Sequence, residues 1–124
     1  MSKIIINERI NSSNVEENIN NKKAILKDNK ISYDRNGFIM NIIYEDEKIF
    51  ITRENNDVKI DLEFKKDQSL ITKYHIKDIN TIIKLETITK ELSILDNRIY
   101  IKYDLYMNEE FSDSFEFELE WRDL

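Results

Sequence analysis

The sequence lacks cysteine and proline and contains a single glycine, Gly37, among its 124 residues. Without cysteine, neither a disulfide framework nor a thiolate metal site can form, and the composition is compatible with a reducing cytoplasm. Phosphate loops and dinucleotide-binding fingerprints are excluded because each needs several closely spaced glycines. With proline absent and glycine nearly so, the turns must be built from asparagine, aspartate and serine.

Long hydrophobic runs are also missing from the N-terminal region. Its apolar stretch is Ile4–Ile6, which is followed at once by Asn7 and Glu8. This stretch is too short for a signal peptide or a membrane helix, so we expect a soluble, cytoplasmic protein without membrane contact. No composition break or internal repeat divides the chain, and one domain spanning residues 1–124 is predicted.

The charge of the chain is acidic and unevenly distributed. The formal net charge is −6, and residues 109–124 hold seven acidic residues and one basic residue, whereas the first 108 residues are balanced. A nucleic-acid footprint requires clustered lysine and arginine, so nucleic acid is not an expected partner. No motif for a bound cofactor is present, and none is expected.

The pattern between the turns is that of β-strands. Clusters of asparagine, aspartate and serine recur about every ten residues, and apolar and polar residues alternate between them, which is typical of an all-β sandwich or barrel. A helix competes only weakly, over residues 14–23. The clearest strands are predicted at Val58–Phe64, Leu70–Ile76, Ile83–Leu85, Ile99–Met107 and Phe115–Trp121.

The last two strands allow a register to be predicted. If residues 108–114 form the loop and both apolar stripes face the same way, the cross-strand pairs are Leu105–Phe117, Tyr103–Leu119 and Ile101–Trp121. A slip by one residue would expose the apolar face of the last strand, so the choice of face is strongly specified.

The strands together predict a barrel. Eight to ten antiparallel strands with one apolar face must pack on a second sheet or close on themselves, since no helices are predicted to cover them. Closure also removes exposed edges, which this chain has no proline to protect. We therefore predict an all-β, antiparallel, closed or nearly closed barrel, with an interior that is either filled or just large enough for one small ligand.

Three segments carry a resemblance to a known family: IFITRENNDVKIDLEFKKDQSLITKYHI, IIKLETITKEL and NRIYIKYDLYMNEE. They resemble the YwiB-like bacterial family of unknown function, whose members form a calycin-like (lipocalin-type) β-barrel. Matching features include Arg53, Tyr74 and the pair Thr87 and Thr89. The resemblance implies the fold and implies no catalytic residues.

The chain departs from the family pattern at two turns. The family has glycine two residues after the matching arginine, where this chain has Asn55, and glycine in the turn before the Thr-x-Thr strand, where this chain has residues 78–80. Asparagine tolerates the left-handed backbone better than other non-glycine residues, so both turns are expected to survive.

Arg53 is the first candidate for ligand contact. An inward-facing arginine in a barrel can bind a carboxylate with both arms of its guanidinium group. Both faces of its strand are partly apolar, so the direction of the side chain stays open. The alternative is an arginine near a strand end that pairs with Glu54 or Glu63.

Six further candidates lie on stripes that are predicted to face the interior: Thr72, Thr87, Thr89, Tyr74, Tyr103 and Trp121. The threonine hydroxyls would either orient a ligand in a mainly apolar pocket or bond locally inside a filled barrel. The aromatic rings would either stack on a ligand or occupy its space.

No catalytic or metal-binding set is recognised. His75, the only histidine, lies between lysines on a stripe predicted to face solvent, which makes it a poor base or metal ligand. Glu116, Glu118 and Glu120 form an outer ladder, and a solvated face is favoured because calcium sites gather carboxylates on loops. We expect no enzymatic activity and no metal.

Two hypotheses of function follow. The first is a cytosolic binding module for a small, mainly apolar ligand, and it predicts an interior cavity of about 300 Å³ or more. The second is a structural or protein-interaction barrel with a filled core that acts through its outer surface, for instance as a homodimer, and it predicts no cavity.

Overall fold

The computed structural model covers residues 1–124 and consists of ten antiparallel strands closed into one barrel. The strands are β1 (Ser2–Ser12), β2 (Glu16–Lys27), β3 (Lys30–Arg35), β4 (Phe38–Glu45), β5 (Lys48–Glu54), β6 (Val58–Lys65), β7 (Ser69–Ile76), β8 (Thr81–Ile94), β9 (Arg98–Met107) and β10 (Glu110–Asp123). Each strand pairs with the next along the chain, and β10 returns to pair with β1. The predicted closed all-β barrel is confirmed. No helix long and apolar enough to cross a membrane occurs.

Asparagine and aspartate build the turns, as the scarcity of glycine requires. The β3–β4 turn is Asn36–Gly37, with φ angles of 53° and 84°, and the β9–β10 turn is Asn108–Glu109, with φ angles of 49° and 72°. Two successive positive φ angles are typical of a type I′ turn, whose twist matches that of the adjoining strands. Tight hairpins therefore form with only one glycine in the chain.

Both turns at which this chain lacks the glycine of the family pattern still form in the structure. Asn80 adopts the left-handed conformation, with a φ angle of 48°, in the turn between β7 and β8. Asn55 instead accepts hydrogen bonds on its side-chain oxygen from the amides of Asp57 and Val58, at 2.8 and 2.9 Å. Asparagine thus replaces glycine by two different means, backbone tolerance and side-chain hydrogen bonding.

The register predicted for the last hairpin is wrong by four residues on β9. The loop is the two-residue turn Asn108–Glu109 rather than a seven-residue segment, and a bulge at Ser112 adds one residue to β10. The observed pairs are Phe115–Tyr103, Phe117–Ile101 and Leu119–Ile99. An even shift leaves the same side chains facing inward, because the side-chain period of a strand is two.

One end of the barrel is packed solid with apolar side chains. Completely buried members of this packed end are Ile4, Ile6, Ile31, Ile42, Ile49, Phe64, Ile99 and Leu119. The ring of Trp121 packs on Tyr44 with centroids 5.5 Å apart. Each such side chain contributes about 1.5–3 kcal/mol on burial, so this end supplies much of the stability of the fold.

The strands of the barrel are weakly paired at two seams, β2–β3 and β6–β7, where the backbone ladder comprises only three residue pairs. At the β6–β7 seam, the hydroxyls of Thr72 and Thr87 donate to the carbonyl oxygens of Asp61 and Glu63. These side chains satisfy acceptors that the ladder leaves unused. The β2–β3 seam is bridged by charged side chains that belong to the candidate site.

Candidate functional site

The barrel encloses a cavity of about 330 Å³ beyond its packed end, and every strand contributes to its lining. Thirteen of the sixteen lining residues are hydrophobic, and the other three are Glu17, Arg35 and Arg53. The cavity reaches solvent beside Val15, which is 39% exposed, and beside Glu17, whose side chain is 49% exposed. Its volume lies at the lower end of the range for small-molecule sites.

Arg53 faces this cavity, which answers the question of direction that the sequence left open. On the sheet it lies opposite Met40 of β4 and Ile60 of β6, both of which also line the cavity. Its guanidinium carbon lies 4.0 Å from the centre of the Phe38 ring. This contact is a cation–π interaction that holds the plane of the guanidinium group in place.

Arg53 has no acceptor within the protein. Its Nε atom is buried without a hydrogen-bond partner. The two carboxylates considered as partners from sequence, Glu54 and Glu63, bind Lys77 and Lys48 instead. The pKa of Arg53 is lowered, first by burial and then by the positive charge of nearby Arg35. The charges of Glu17 and Glu8 offset part of this lowering of the pKa, but neither carboxylate forms an ion pair with Arg53.

Arg35, in contrast, forms ion pairs with two carboxylates. It is 3% exposed, its Nε donates to Oε1 of Glu8 at 2.6 Å, and its Nη2 donates to Oε2 of Glu17. The hydroxyl of Tyr33 donates to the other oxygen of Glu8. Burial lowers the pKa of Arg35, but the hydrogen bonds and charges of Glu17 and Glu8 raise it on balance. Burial and the charge of Glu8 hold the pKa of Tyr33 well above its usual range.

This network bridges the β2–β3 seam and forms part of the cavity wall. Glu8 lies on β1, Glu17 on β2, and Tyr33 and Arg35 on β3. Beyond the three ladder pairs that end at Ile25 and Ser32, these side chains connect strands that no longer exchange backbone hydrogen bonds. Buried charges are tolerated when they are paired and hydrogen-bonded, and this condition is met here.

The rim of the cavity is fixed by Asp113 of β10. Its carboxylate accepts hydrogen bonds from the hydroxyl of Ser13 at 2.6 Å and from the side-chain amide of Asn14 at 3.3 Å. Both donors belong to the β1–β2 loop, which also carries Val15 onto the cavity lining. The backbone amide of Ser114 donates to the same carboxylate at 2.8 Å. The loop is thereby attached to the neighbouring strand β10 at the cavity opening.

Three of the seven predicted contact residues line the cavity: Arg53, Tyr74 and Tyr103. The ring of Tyr103 stacks on Phe115 with centroids 5.4 Å apart and also contacts Phe64 at 4.6 Å. Burial holds the pKa of the Tyr103 hydroxyl well above its usual range. Tyr103 therefore stands at the boundary between the packed end and the cavity.

The structure places the other four predicted contact residues outside the cavity lining. Thr72 and Thr87 donate to backbone carbonyls at the β6–β7 seam, which is the local bonding that was the alternative to ligand contact. Thr89 is buried, and its hydroxyl has no hydrogen-bond partner. Trp121 belongs to the packed end, where it packs on Tyr44.

The candidates assigned to solvent lie on the outer surface. His75 has Nε2 at 3.2 Å from the side-chain oxygen of Asn80, in an exposed contact. Glu118, at the centre of the acidic ladder, binds Arg98 at 2.7 Å and Arg9 at 3.6 Å. The ladder is therefore an ion-paired outer face of the barrel.

Sequence reasoning missed Glu8, Glu17 and Arg35. Two of them had a visible signal, since Glu8 interrupts the apolar stripe of Ile4 and Ile6, and Arg35 follows two inward residues of β3. A charge on an otherwise apolar stripe is either an error of assignment or part of a paired, buried network. Glu17 had no such signal, because an irregularity in the pairing of β1 and β2 changes which residues of β2 face inward.

The fold has a counterpart among solved structures. The chain is similar to the crystal structure of the ywiB protein from Bacillus subtilis, with a TM-score of 0.68 and 20% sequence identity over 98% of this chain and 90% of that chain. At this identity the likeness shows the fold alone. No curated protein matches the sequence.

A family model agrees with the structural comparison. The model described as a domain of unknown function, DUF1934, matches residues 7–119. This range runs from β1 to β10 and thus includes every strand that lines the cavity. The chain therefore belongs to the DUF1934 family, and its resemblance to the YwiB-like barrel is confirmed.

Proposed function

We propose that the protein is a binding module that takes a small, mainly apolar ligand into the barrel. The observation that carries this proposal is the interior cavity of about 330 Å³ with thirteen hydrophobic lining residues. The ligand-binding hypothesis predicted such a cavity, whereas the alternative of a filled barrel predicted none. The barrel fold itself adds only analogy, because similar folds serve unrelated functions.

The chemical character of the lining supports the proposal. Protein interiors pack to the density of organic crystals and rarely leave voids larger than a water molecule. Here a much larger space remains among Met40, Leu85, Leu105 and Phe117, although bulkier side chains at these positions would fill it. An apolar space with a few polar groups on one side is the usual form of a small-molecule site.

A neutral apolar dye, N-phenyl-1-naphthylamine, tests the proposal directly. We expect its fluorescence to rise on binding to the wild-type protein and the affinity to fall at least tenfold in Leu105→Trp, whose side chain would occupy the cavity. Ile71→Trp is the matched control, because Ile71 lies on the outer face and is 62% exposed. Absence of dye binding to the wild type, or equal binding to both variants, would refute the proposal.

Mass spectrometry of the natively purified protein would identify the class of molecule that it retains. We expect one small amphipathic or apolar compound per chain, and its release from Leu105→Trp under the same conditions. Retention of the compound by Leu105→Trp would place it outside the cavity and contradict the assignment of the site.

A further inference from the structure

Arg53 is the one charged residue of the cavity lining that has no hydrogen-bond or ion-pair partner, whereas Glu17 and Arg35 bind each other. A guanidinium group has five N–H donors, yet Arg53 makes no hydrogen bond or ion pair with the protein, and its Nε is shielded from solvent. Arg53 is half-buried, and its shielded Nε has no acceptor, so an anion at this group would supply the acceptors that the protein does not. The position of the group in the cavity lining makes it accessible to whatever occupies that space.

The neighbouring charges do not serve as this anion. Both carboxylates near the cavity, Glu8 and Glu17, bind Arg35, and neither lies within ion-pairing distance of Arg53. Glu8 is fully engaged, because its second oxygen accepts the hydroxyl of Tyr33. Glu17 is half exposed at the opening, so water screens its charge. Arg53 therefore has no direct carboxylate partner, although the two arginines and the two carboxylates balance in formal charge.

The geometry of Arg53 suits a planar anion. The Phe38 ring covers one face of the guanidinium group, which leaves the terminal edge with its Nη donors available, since only Nε is shielded. Arginine edges bind carboxylates through two parallel hydrogen bonds, an arrangement that a single lysine cannot reproduce. The remainder of the cavity offers apolar side chains from all sides, including Ile60 and Leu62 next to Arg53 on the sheet.

We propose that the ligand is a monocarboxylic acid with an apolar body, whose carboxylate is bound by Arg53 while its hydrocarbon part fills the cavity. This inference rests on the proposed function and adds the chemical class of the ligand. A guanidinium group without an ion-pair partner can bind one negative group, which a carboxylate supplies and a neutral alcohol of the same length does not. Charge-assisted hydrogen bonds to this half-buried arginine are expected to favour the acid by about ten- to a hundredfold in affinity.

Isothermal titration with octanoate and 1-octanol tests this preference, since the two probes share a chain and differ in charge. We expect the wild type to bind octanoate at least tenfold more tightly than 1-octanol. Arg53→Met should abolish the difference and retain 1-octanol binding, whereas Arg53→Lys should retain only part of the preference because it keeps the charge and loses the paired donors. Arg122→Met removes an exposed arginine of β10 and should leave the preference unchanged.

The outcomes separate the two proposals. Equal affinity of the wild type for octanoate and 1-octanol, or a preference that survives in Arg53→Met, would overturn the assignment of the carboxylate and leave the binding module intact. Failure of both probes in a protein that binds N-phenyl-1-naphthylamine would also overturn this inference alone. Failure of all three would overturn the proposed function and this inference together. The comparison within the wild type does not depend on the folding of any variant.

Discussion

The substitution Arg35→Met tests how much the fold depends on its buried ionic network. The side chains of Arg35 and Glu8 are 3% and 1% exposed, and they are joined by a hydrogen bond of 2.6 Å. Removal of the guanidinium group leaves the Glu8 carboxylate buried with the Tyr33 hydroxyl as its remaining partner. It also frees Glu17, which is partly exposed and can be solvated. The main consequence is therefore an uncompensated charge at Glu8.

The expected magnitude follows from this geometry. Loss of one partner of a buried ion pair costs about 3–5 kcal/mol, which is a large part of a total stability of about 5–15 kcal/mol. For a chain of this length, the midpoint of thermal unfolding should fall by about 10–20 °C. Glu8→Leu should cost less, because Arg35 keeps Glu17 as a partner. The double variant Glu8→Leu/Arg35→Met should be more stable than Arg35→Met alone, because no charge is left unpaired.

Urea unfolding followed by circular dichroism measures these differences, and the four proteins form a double-mutant cycle. Arg98→Met is the control, because Arg98 makes a comparable contact of 2.7 Å with Glu118 but is half exposed, and exposed pairs contribute little. Additive effects of the two substitutions, or a cost of less than about 1 kcal/mol for Arg35→Met, would show that the network is not a coupled buried unit. The reasoning would then be refuted.

Two further predictions concern the buried tyrosines and the weakly paired β6–β7 seam. In an alkaline titration followed by ultraviolet absorbance, Tyr33 and Tyr103 should stay protonated until the protein unfolds, because their pKa values are raised in the folded state. The contribution of these two hydroxyls to the free energy of unfolding is fully present below the unfolded-state pKa near 10. It is lost as the pH rises from there towards the folded-state pKa values. Titration of all tyrosines near pH 10 in the folded protein would contradict this. In hydrogen exchange measured by NMR, amides that face the β6–β7 seam should exchange faster than those of β9, which has long ladders on both sides. Uniform protection would show that backbone hydrogen bonds continue along this seam and would contradict the prediction.

Fold class followed from the sequence because two independent signals agreed. The alternation of apolar and polar residues set the inward faces, and turn residues at short intervals set the strand lengths. Those signals do not depend on long-range pairing, and they were sufficient for the packed end, where Ile99, Leu119 and Phe64 face inward as expected. Closure was expected from the lack of any element to cover an open sheet, whereas the pattern left the number of strands between eight and ten.

Register was less predictable, because it depends on single residues that the alternation does not reveal. The β9–β10 hairpin turns at Asn108–Glu109, where a non-glycine residue adopts a φ angle of 72°. A sequence pattern gives little reason to expect Glu109 in this conformation, so the longer acidic segment was assigned to the loop. The bulge at Ser112 then restores the inward direction of Phe115. Two local irregularities thus compensate each other and conceal the true pairing from a pattern-based prediction.

The candidate site was only partly predictable for a related reason. Alternation identifies which side chains point inward, and it correctly placed Tyr74 and Tyr103 there. It does not say whether inward side chains meet at the centre or leave space between them, because that depends on how the strands spread at each end of the barrel. The hydroxyls of Thr72 and Thr87 instead donate to backbone carbonyls at the β6–β7 seam. This seam results from a short backbone ladder, which the sequence pattern does not reveal.

The two ends of the barrel depend on each other because most strands contribute side chains to both. On β5, Ile49 is completely buried in the packed end, while Arg53 lines the cavity four residues further along, which is about 13 Å on an extended strand. The packing of Ile49 against Phe64 and its neighbours therefore fixes where the guanidinium group of Arg53 stands. An unpaired cation is tolerated at one end because the other end supplies surplus stability, and a rigid support is what a preorganised binding group requires. Under the proposed function, Arg53 is the binding group of the site and the packed end is its structural support.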